Sequence, residues 1–129
     1  MKYMLDTDTC CFIIKGVPSA VERTREFEGD WCISTIVYQE LMAGLLNVRT
    51  KRMESGIQLF LRTVRVLEYS MSDALVAAEL MVANNKNGHD IGVIDSQIAG
   101  HAASAGLTLV SSNTKHFEPM LGLTLESWV

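Results

Sequence analysis

The sequence predicts a single α/β domain, spanning residues 1–129, with a mostly parallel central sheet of about five strands and helices on both faces. Short apolar runs of strand length alternate with segments of helical periodicity, which is typical of parallel strands joined by crossover helices. A chain of 129 residues, 48% of them hydrophobic, is long enough for one sizeable core and too short for two. The apolar runs occupy residues 2–5, 31–33, 64–67, 107–110 and 123–125.

Three helices between these runs have recognisable ends or faces. Ser70 followed by Asp73 resembles a capping box, and Gly106 suits the left-handed position that ends a helix. The helices are predicted over residues 71–85, from near Asp95 to Gly106, and over 36–48. The residues expected to face the core are Ala74, Ala77, Ala78, Met81 and Val82 in the first, Ile98, Ala99, Ala102 and Ala103 in the second, and Ile36, Val37, Leu41, Leu45 and Val48 in the third.

Acidic and polar residues stand where several of these elements begin or end. Asp6 follows the first apolar run, Asp95 opens a helix, and Glu40 interrupts the apolar stretch of another. Ser111 and Asn113 follow the fourth run. Because ligands bind at the carboxyl edge of an open α/β sheet, four polar side chains could converge there. Carboxylate oxygens suit Mg²⁺ or Mn²⁺, whereas an unpaired buried carboxylate is costly.

Composition narrows the class of protein. Three cysteines without CxxC spacing argue against a disulfide framework or a zinc site, and favour a reducing cytoplasm. We find neither a leader peptide nor an apolar stretch long enough for a bilayer, so we expect a cytoplasmic protein with no membrane contact. The net charge of -4 counts against nucleic-acid binding unless the acids gather in one metal pocket, where the ion reverses their local sign.

Four sequence motifs in order resemble those of PIN-domain ribonucleases, and most closely the VapC toxins of bacterial toxin–antitoxin pairs. They are Met-Leu-Asp-Thr around Asp6, the segment 34–41 containing Glu40, the segment 91–95 ending in Asp95, and the segment 110–117 containing Asn113. Each motif alone is weak, but together they cover essentially the whole chain, through Trp128. The resemblance therefore predicts a PIN-like domain.

This resemblance implies a Mg²⁺- or Mn²⁺-dependent endoribonuclease toxin of a type II system, cutting RNA such as tRNA or rRNA, with initiator tRNA a plausible target. It implies metal ligands at Asp6, Glu40 and Asp95, with Asn113 helping to hold the metal or its water and Ser111 supporting the site. Such toxins are neutralised by a cognate VapB-type antitoxin. We also expect a homodimer, toxin–antitoxin hetero-oligomers, and an RNA phosphate contact from Lys115.

Each proposed site residue has a second interpretation. Asp6 and Asp95 could be helix caps, Glu40 a surface residue and Asn113 a turn residue. Relatives commonly have Asp where this chain has Asn113, which puts a second metal in doubt. Asp8 could restore that charge, although a role at the start of the first helix is favoured.

Two rival functions compete with the nuclease. The segment from Asp6 to Asp8 resembles the nucleophile loop of haloacid-dehalogenase-like phosphatases, although the later acidic pair of that family is missing. The second rival function is that of a non-catalytic interaction module, whose acidic pocket only binds a basic partner. The histidines lack a metal-ligand spacing. Six apolar residues could form a homodimer face or antitoxin groove, or belong to the core: Met42, Leu45, Leu46, Met53, Leu59 and Phe60.

Overall fold

A computed structural model describes residues 1–120 and 122–129 and contains, over that part of the chain, one sheet of five parallel strands. The strand order is β3-β2-β1-β4-β5. This confirms the predicted α/β class and the position of all five apolar runs, with ends shifted by up to two residues. The strands are β1 Tyr3–Leu5, β2 Trp31–Ser34, β3 Val66–Leu67, β4 Thr108–Val110 and β5 Leu125–Glu126.

Seven helices connect the strands in the described part of the chain. Strands β1 to β3 advance toward one edge of the sheet, whereas β4 and β5 lie beyond β1 on the other side. Right-handed crossovers therefore place the helices before β3 on one face and the later ones on the other. The helices are α1 Thr7–Ile14, α2 Pro18–Glu26, α3 Thr35–Leu46, α4 Lys51–Thr63, α5 Met71–Lys86, α6 Val93–Ser104 and α7 Thr114–Phe117.

The strand order reverses between β1 and β4, and this point locates the ligand crevice of an open α/β sheet. The two strands pair in parallel, with Leu5 opposite Val110. Beyond their ends, the Asp6 N–H and the Thr9 hydroxyl both donate to the Val110 carbonyl, at 3.0 and 3.2 Å. The loop that follows β1 is thus fixed directly against the end of β4.

The core lies around the two central strands. Met4, Leu5, Leu109 and Val110 are completely buried, as expected for strands that are covered on both faces. Cys10 and Cys32 are also completely buried, and burial raises the pKa of the Cys32 thiol to about 11. All three cysteines, Cys10, Cys11 and Cys32, are free thiols. In the described ranges, we find no helix with the length and hydrophobicity that crossing a bilayer requires.

Helix α5 contains the predicted capping box, but its buried face differs from the prediction. Ser70 and Asp73 exchange hydrogen bonds between side chain and backbone. Of the five residues expected to face the core only Ala77 is fully buried, and Val82 is 53% exposed. The fully buried face instead contains Asp73, Ala77 and Asn84. Hydrogen bonds satisfy the two polar residues, and Asn84 Nδ2 donates to the Leu80 carbonyl at 2.7 Å.

The other two helices agree better with the sequence. In α3, Val37 and Leu41 are fully buried. The other three residues of the predicted set, Ile36, Leu45 and Val48, are only partly buried. In α6, Ile98, Ala99 and Ala102 are buried, and Gly106 adopts the predicted left-handed conformation with φ 70°. Gly100 of α6 lies against Ala77 of α5 so closely that a Cβ atom built on it would be 2.5 Å from the Ala77 Cα. These two helices therefore pack backbone against backbone.

Candidate active site

Asp6 lies at the carboxyl end of β1 and is only 6% exposed. Its side chain caps helix α1 by accepting a hydrogen bond from the Thr9 N–H at 2.9 Å. Burial raises the pKa of this carboxyl group, and the nearby charge of Asp8 adds to the effect, while hydrogen bonds from Ser111 and Thr9 oppose it. The two interpretations of Asp6 are therefore compatible, since the helix cap is also a buried acid at the ligand edge.

This raised pKa has a consequence for stability. Between the ordinary value of 3.8 and the higher folded-state pKa, the folded protein binds more protons than the unfolded chain, so the contribution of Asp6 becomes less favourable as pH rises through that window. We expect Asp6→Asn, which retains a capping oxygen, to stabilise the metal-free protein at pH 7 by about 1 kcal/mol, or roughly 4 °C in Tm. Thermal melts in EDTA at pH 7 test this.

The difference between the two proteins should shrink as pH falls below 3.8, because the carboxyl group then becomes protonated in both the folded and the unfolded wild-type chain. Asp30→Asn is a suitable control because Asp30 is 41% exposed by side chain and forms its ion pair with the N-terminus, away from Asp6. A lower Tm for Asp6→Asn than for wild type at pH 7 would show that the charge of Asp6 stabilises the fold.

Glu40 is in the second turn of α3 and partly buried. The hydroxyl of Thr7, the residue after Asp6, donates to Glu40 Oε1. This bond between residues distant in sequence directs Glu40 toward the loop that contains Asp6, instead of leaving it free in solvent. The interpretation of Glu40 as an ordinary surface residue therefore does not describe its environment.

Asp95 does not cap its helix, contrary to the alternative that the sequence left open. Helix α6 starts at Val93, and its N-cap is Gly92, whose φ of 85° favours glycine. Asp95 lies in the first turn, 42% exposed by side chain, with Oδ2 at 2.9 Å from His116 Nε2. His116 was missed by the argument from ligand spacing. The sequence did contain one indication of His116, because this residue lies in the segment 110–117, three residues after Asn113.

The loop after β4 is held by Ser111. This residue is completely buried, and its Oγ accepts the Asn113 N–H at 3.0 Å, which leaves its hydroxyl hydrogen available to Asp6. Asn113 is exposed and precedes α7 without a side-chain capping bond, and Lys115 is exposed two residues later. Asn113 thus occupies a turn beside this edge, and its side chain makes no hydrogen bond that caps α7.

Two separate sets of side chains therefore lie at the carboxyl edge of the sheet, one around Asp6, Thr7 and Glu40, the other around Asp95 and His116. Each of these carboxylates has a hydrogen-bond partner: the Thr9 N–H for Asp6, the Thr7 hydroxyl for Glu40 and the His116 ring for Asp95. Over residues 1–120 and 122–129, no three acidic, histidine or cysteine side chains are close enough together to hold one metal ion. Asp8 is exposed in the first turn of α1, which agrees with a favourable interaction with the helix dipole.

Comparison with known proteins agrees with this architecture. The family model of the PIN domain matches residues 3–119. The tRNA(fMet)-specific endonuclease VapC of Shigella flexneri is 36% identical over 130 residues, which cover 99% of this chain and 98% of the relative. These matches do not support the phosphatase interpretation of Asp6 and Asp8, nor the non-catalytic acidic module.

Solved structures give the same result. VapBC2 from Rickettsia felis, bound to a DNA fragment from its promoter, matches with a TM-score of 0.91 and 31% identity over the whole of both chains. DNA-bound VapBC from Salmonella typhimurium matches with a TM-score of 0.90 and 33% identity, covering 100% of this chain and 99% of that one. With fold, motif order and full-length similarity in agreement, the chain belongs to the VapC family of PIN-domain proteins.

Proposed function

We propose that this protein is a metal-dependent endoribonuclease toxin of a type II toxin–antitoxin system. The observation that carries the proposal is the buried Asp6, with its raised pKa, at the strand-order reversal of a VapC-family fold. Glu40 is bonded to the adjacent Thr7, and Asp95 lies in the first turn of α6. The relatives named as VapC endonucleases support the same activity.

Asp6, Glu40 and Asp95 would hold Mg²⁺ or Mn²⁺. Their donor chemistry fits, because hard dications prefer carboxylate oxygens, and because the buried Asp6 carboxylate has no cationic side chain among its hydrogen-bond partners. When bound, the cation supplies a Lewis acid that polarises the phosphodiester and favours deprotonation of the attacking water. Thr7 and His116 each bond to one oxygen of Glu40 and Asp95, respectively, which leaves the second oxygen of each carboxylate available to a metal. Because no three possible ligands lie close together over residues 1–120 and 122–129, metal binding would require the acids to approach one another.

The remaining residues orient these acids and the RNA. Thr7 and His116 fix the positions of Glu40 and Asp95, and the Ser111 hydroxyl stabilises the charged form of Asp6. Asn113 would contribute its amide oxygen to the metal or its water. Lys115 would bind a phosphate of the RNA backbone, which positions the strand without selecting a sequence.

For the substrate we propose tRNA, with the initiator tRNA as first candidate because two relatives are named tRNA(fMet)-specific endonucleases. Hydrolysis would leave a 3′ hydroxyl and a 5′ phosphate. Sequencing the 5′ ends produced on induction in cells, with Asp95→Asn as control, identifies the target. Cleavage confined to rRNA would contradict the tRNA assignment while leaving the nuclease intact.

For the partner we propose a VapB-type antitoxin, because the similar solved structures are VapBC complexes. A cavity of about 340 Å³ between α1, α3 and α4 adjoins the site, since Thr7 and Glu40 are in its lining. Leu41, Met53 and Ile57 make the rest of the wall mostly apolar. An antitoxin segment with apolar side chains in this groove and an Arg among the carboxylates would block access of RNA.

We also propose that the toxin is a homodimer. Apolar residues stand exposed along α5, with Met71, Leu75 and Val82 at 90%, 63% and 53%, and at the start of α6, with Val93 at 60%. Met71, Leu75 and Val82 fall on one face of α5 by helical spacing, and large exposed apolar surfaces of this kind mark protein interfaces.

Removal of the metal tests the proposed function directly. We expect the purified chain to cleave total bacterial tRNA in 2 mM Mg²⁺ or Mn²⁺ and to lose at least about 100-fold in rate in excess EDTA, because a hard dication neutralises charge that the carboxylates would otherwise repel. Gel electrophoresis of the RNA measures the rate, and restoring Mg²⁺ is the control for reversibility. Undiminished cleavage in EDTA would contradict the assignment of the metal site.

A further inference from the structure

A buried polar network lies on the side of α3 that faces α6. His101 Nδ1 is 2.8 Å from Ser34 Oγ, and His101 Nε2 is 3.4 Å from Asp73 Oδ2. Ser34 Oγ also accepts the Ile36 N–H at 3.1 Å, which caps α3. Ser34, His101 and Asp73 are 0%, 2% and 7% exposed. The nuclease site described above uses none of the three.

The protonation states of these groups follow from their surroundings. Burial lowers the pKa of His101, although the charge of Asp73 opposes the shift, so the imidazole is neutral at neutral pH. Burial alone would raise the pKa of Asp73, but hydrogen bonds from Ser70 and Ser104 keep it below its usual value. With Asp73 ionised, Nε2 carries the proton toward it, and Nδ1 accepts the Ser34 hydroxyl hydrogen. Every polar atom of the network then has a partner.

A serine, a histidine and an aspartate in this order also resemble a hydrolytic triad, but the network cannot act as one. The Ser34 side chain is completely buried and its oxygen already accepts the first turn of α3. A substrate carbonyl has no access to it. The role of the network is therefore structural, and what matters is which elements it joins.

The network joins the helices that contain Glu40 and Asp95. Ser34 is the N-cap of α3, and Glu40 follows six residues later, about 9 Å along the helix axis. His101 lies six residues after Asp95 on α6, again about 9 Å along its axis. Asp73 lies in the first turn of α5, which packs against α6 through Gly100 and Ala77. The hydrogen bond between Ser34 and His101 thus joins the start of α3 to the last turn of α6.

We propose that His101 is a positioning residue, which acts through the Ser34 hydroxyl to fix the helix of Glu40 against the helix of Asp95. This inference rests on the proposed function, because it assigns both carboxylates to one metal site. Groups that hydrogen-bond directly to a metal ligand typically change metal affinity or activity by about 10–100-fold when mutated. His101 acts one step further away, through Ser34, so we expect an effect at the lower end of that range. A histidine that served only to fill the core would have no such effect.

The test compares His101→Phe, which keeps a ring but removes both nitrogens, with His101→Gln, which retains a donor and an acceptor. Ser34→Ala removes the hydroxyl group that bonds to His101, and it replaces His101→Phe in the test if that variant does not fold. Ile98→Val is the matched control, because Ile98 is 1% exposed on the same helix and the change removes one buried methyl group. Mn²⁺ affinity is measured by calorimetry on the folded proteins, well below their Tm, together with amide hydrogen exchange of residues 35–41 without metal.

We expect His101→Phe and Ser34→Ala to weaken Mn²⁺ binding by about 10-fold and to accelerate exchange in residues 35–41. His101→Gln should recover part of both effects, and Ile98→Val should show neither. The double variant of Ser34→Ala and His101→Phe should lose less Mn²⁺ affinity than the sum of the two single losses, because the two changes share the bond between Ser34 and His101. Each single change also removes one other contact, the α3 cap for Ser34→Ala and the contact with Asp73 for His101→Phe.

Unchanged Mn²⁺ affinity in His101→Phe, with only a lower Tm, would overturn the positioning role while the proposed nuclease stood. An equal loss of Mn²⁺ affinity in Ile98→Val would also overturn the positioning role, because any destabilisation of α6 would then be enough to weaken Mn²⁺ binding. If the wild-type protein neither bound Mn²⁺ nor cleaved RNA, the proposed function itself would fail and the positioning role with it. The two failures are therefore distinguishable.

Discussion

Asp95→Asn is expected to lower the rate of RNA cleavage by about 1000-fold while leaving the fold intact, because it removes one charge from the proposed site and adds no bulk. Asp95 is 42% exposed by side chain, and an asparagine oxygen can still accept a hydrogen bond from His116. A change at such a position alters stability by roughly 0.5 kcal/mol at most. Cleavage of tRNA in Mn²⁺ and thermal melting of the same samples measure the two effects.

Glu79→Gln is the matched control for Asp95→Asn, since Glu79 is exposed on α5 and its change removes the same charge. The control should cleave at the wild-type rate. Wild-type cleavage by Asp95→Asn would remove Asp95 from the site. A large fall in Tm would instead trace the loss of activity to unfolding, and the less exposed Asp6 would then be the position to test.

Gly100→Ala is expected to destabilise the protein by about 3 kcal/mol, lowering Tm by roughly 10 °C. The added Cβ would be 2.5 Å from Ala77 Cα and 2.7 Å from Ala77 N, so the backbones of α5 and α6 would have to separate. Alanine has the better helix propensity by about 1 kcal/mol, which offsets only part of the loss. Urea denaturation measures the change in the free energy of unfolding.

Gly44→Ala distinguishes the contact from helix propensity, because Gly44 lies within α3 and a Cβ there would meet no atom within 4 Å. It should stabilise the protein by about 0.5–1 kcal/mol. Replacing Ala77 by glycine in the Gly100→Ala background should restore little, since the backbone atoms of residue 77 stay in place. A Gly100→Ala variant as stable as wild type would show that the two helices separate without cost.

The sheet could be predicted because its strands are buried on both faces and appear as continuous apolar runs. The buried and exposed faces of α5 could not be predicted in the same way, because its many alanines give little difference in hydrophobicity between the two faces. The spacing of Ser70 and Asp73 did predict their capping box. It could not predict that Asp73 is also buried against His101 of α6, because that contact forms only between packed helices.

The same limit applies to the site. The order of the acidic motifs predicted that Asp6, Glu40 and Asp95 would stand at related positions. Their immediate partners, Thr7 for Glu40 and His116 for Asp95, are set by tertiary contacts across 33 and 21 residues of sequence. The assignment of these acids to one metal stays a prediction that the experiments above decide.

The hydrogen bond from Asp6 to Val110 also bears on when activity can arise during synthesis. It joins the loop after the first strand to the end of the fourth, so this part of the site depends on a contact of very long sequence separation. Residues 6 and 40 leave the ribosome long before residue 110, yet the edge they share is incomplete without β4. A nascent or prematurely terminated chain that ends before β4 would therefore lack an assembled nuclease site, so the translating ribosome would meet no active toxin until this strand has emerged.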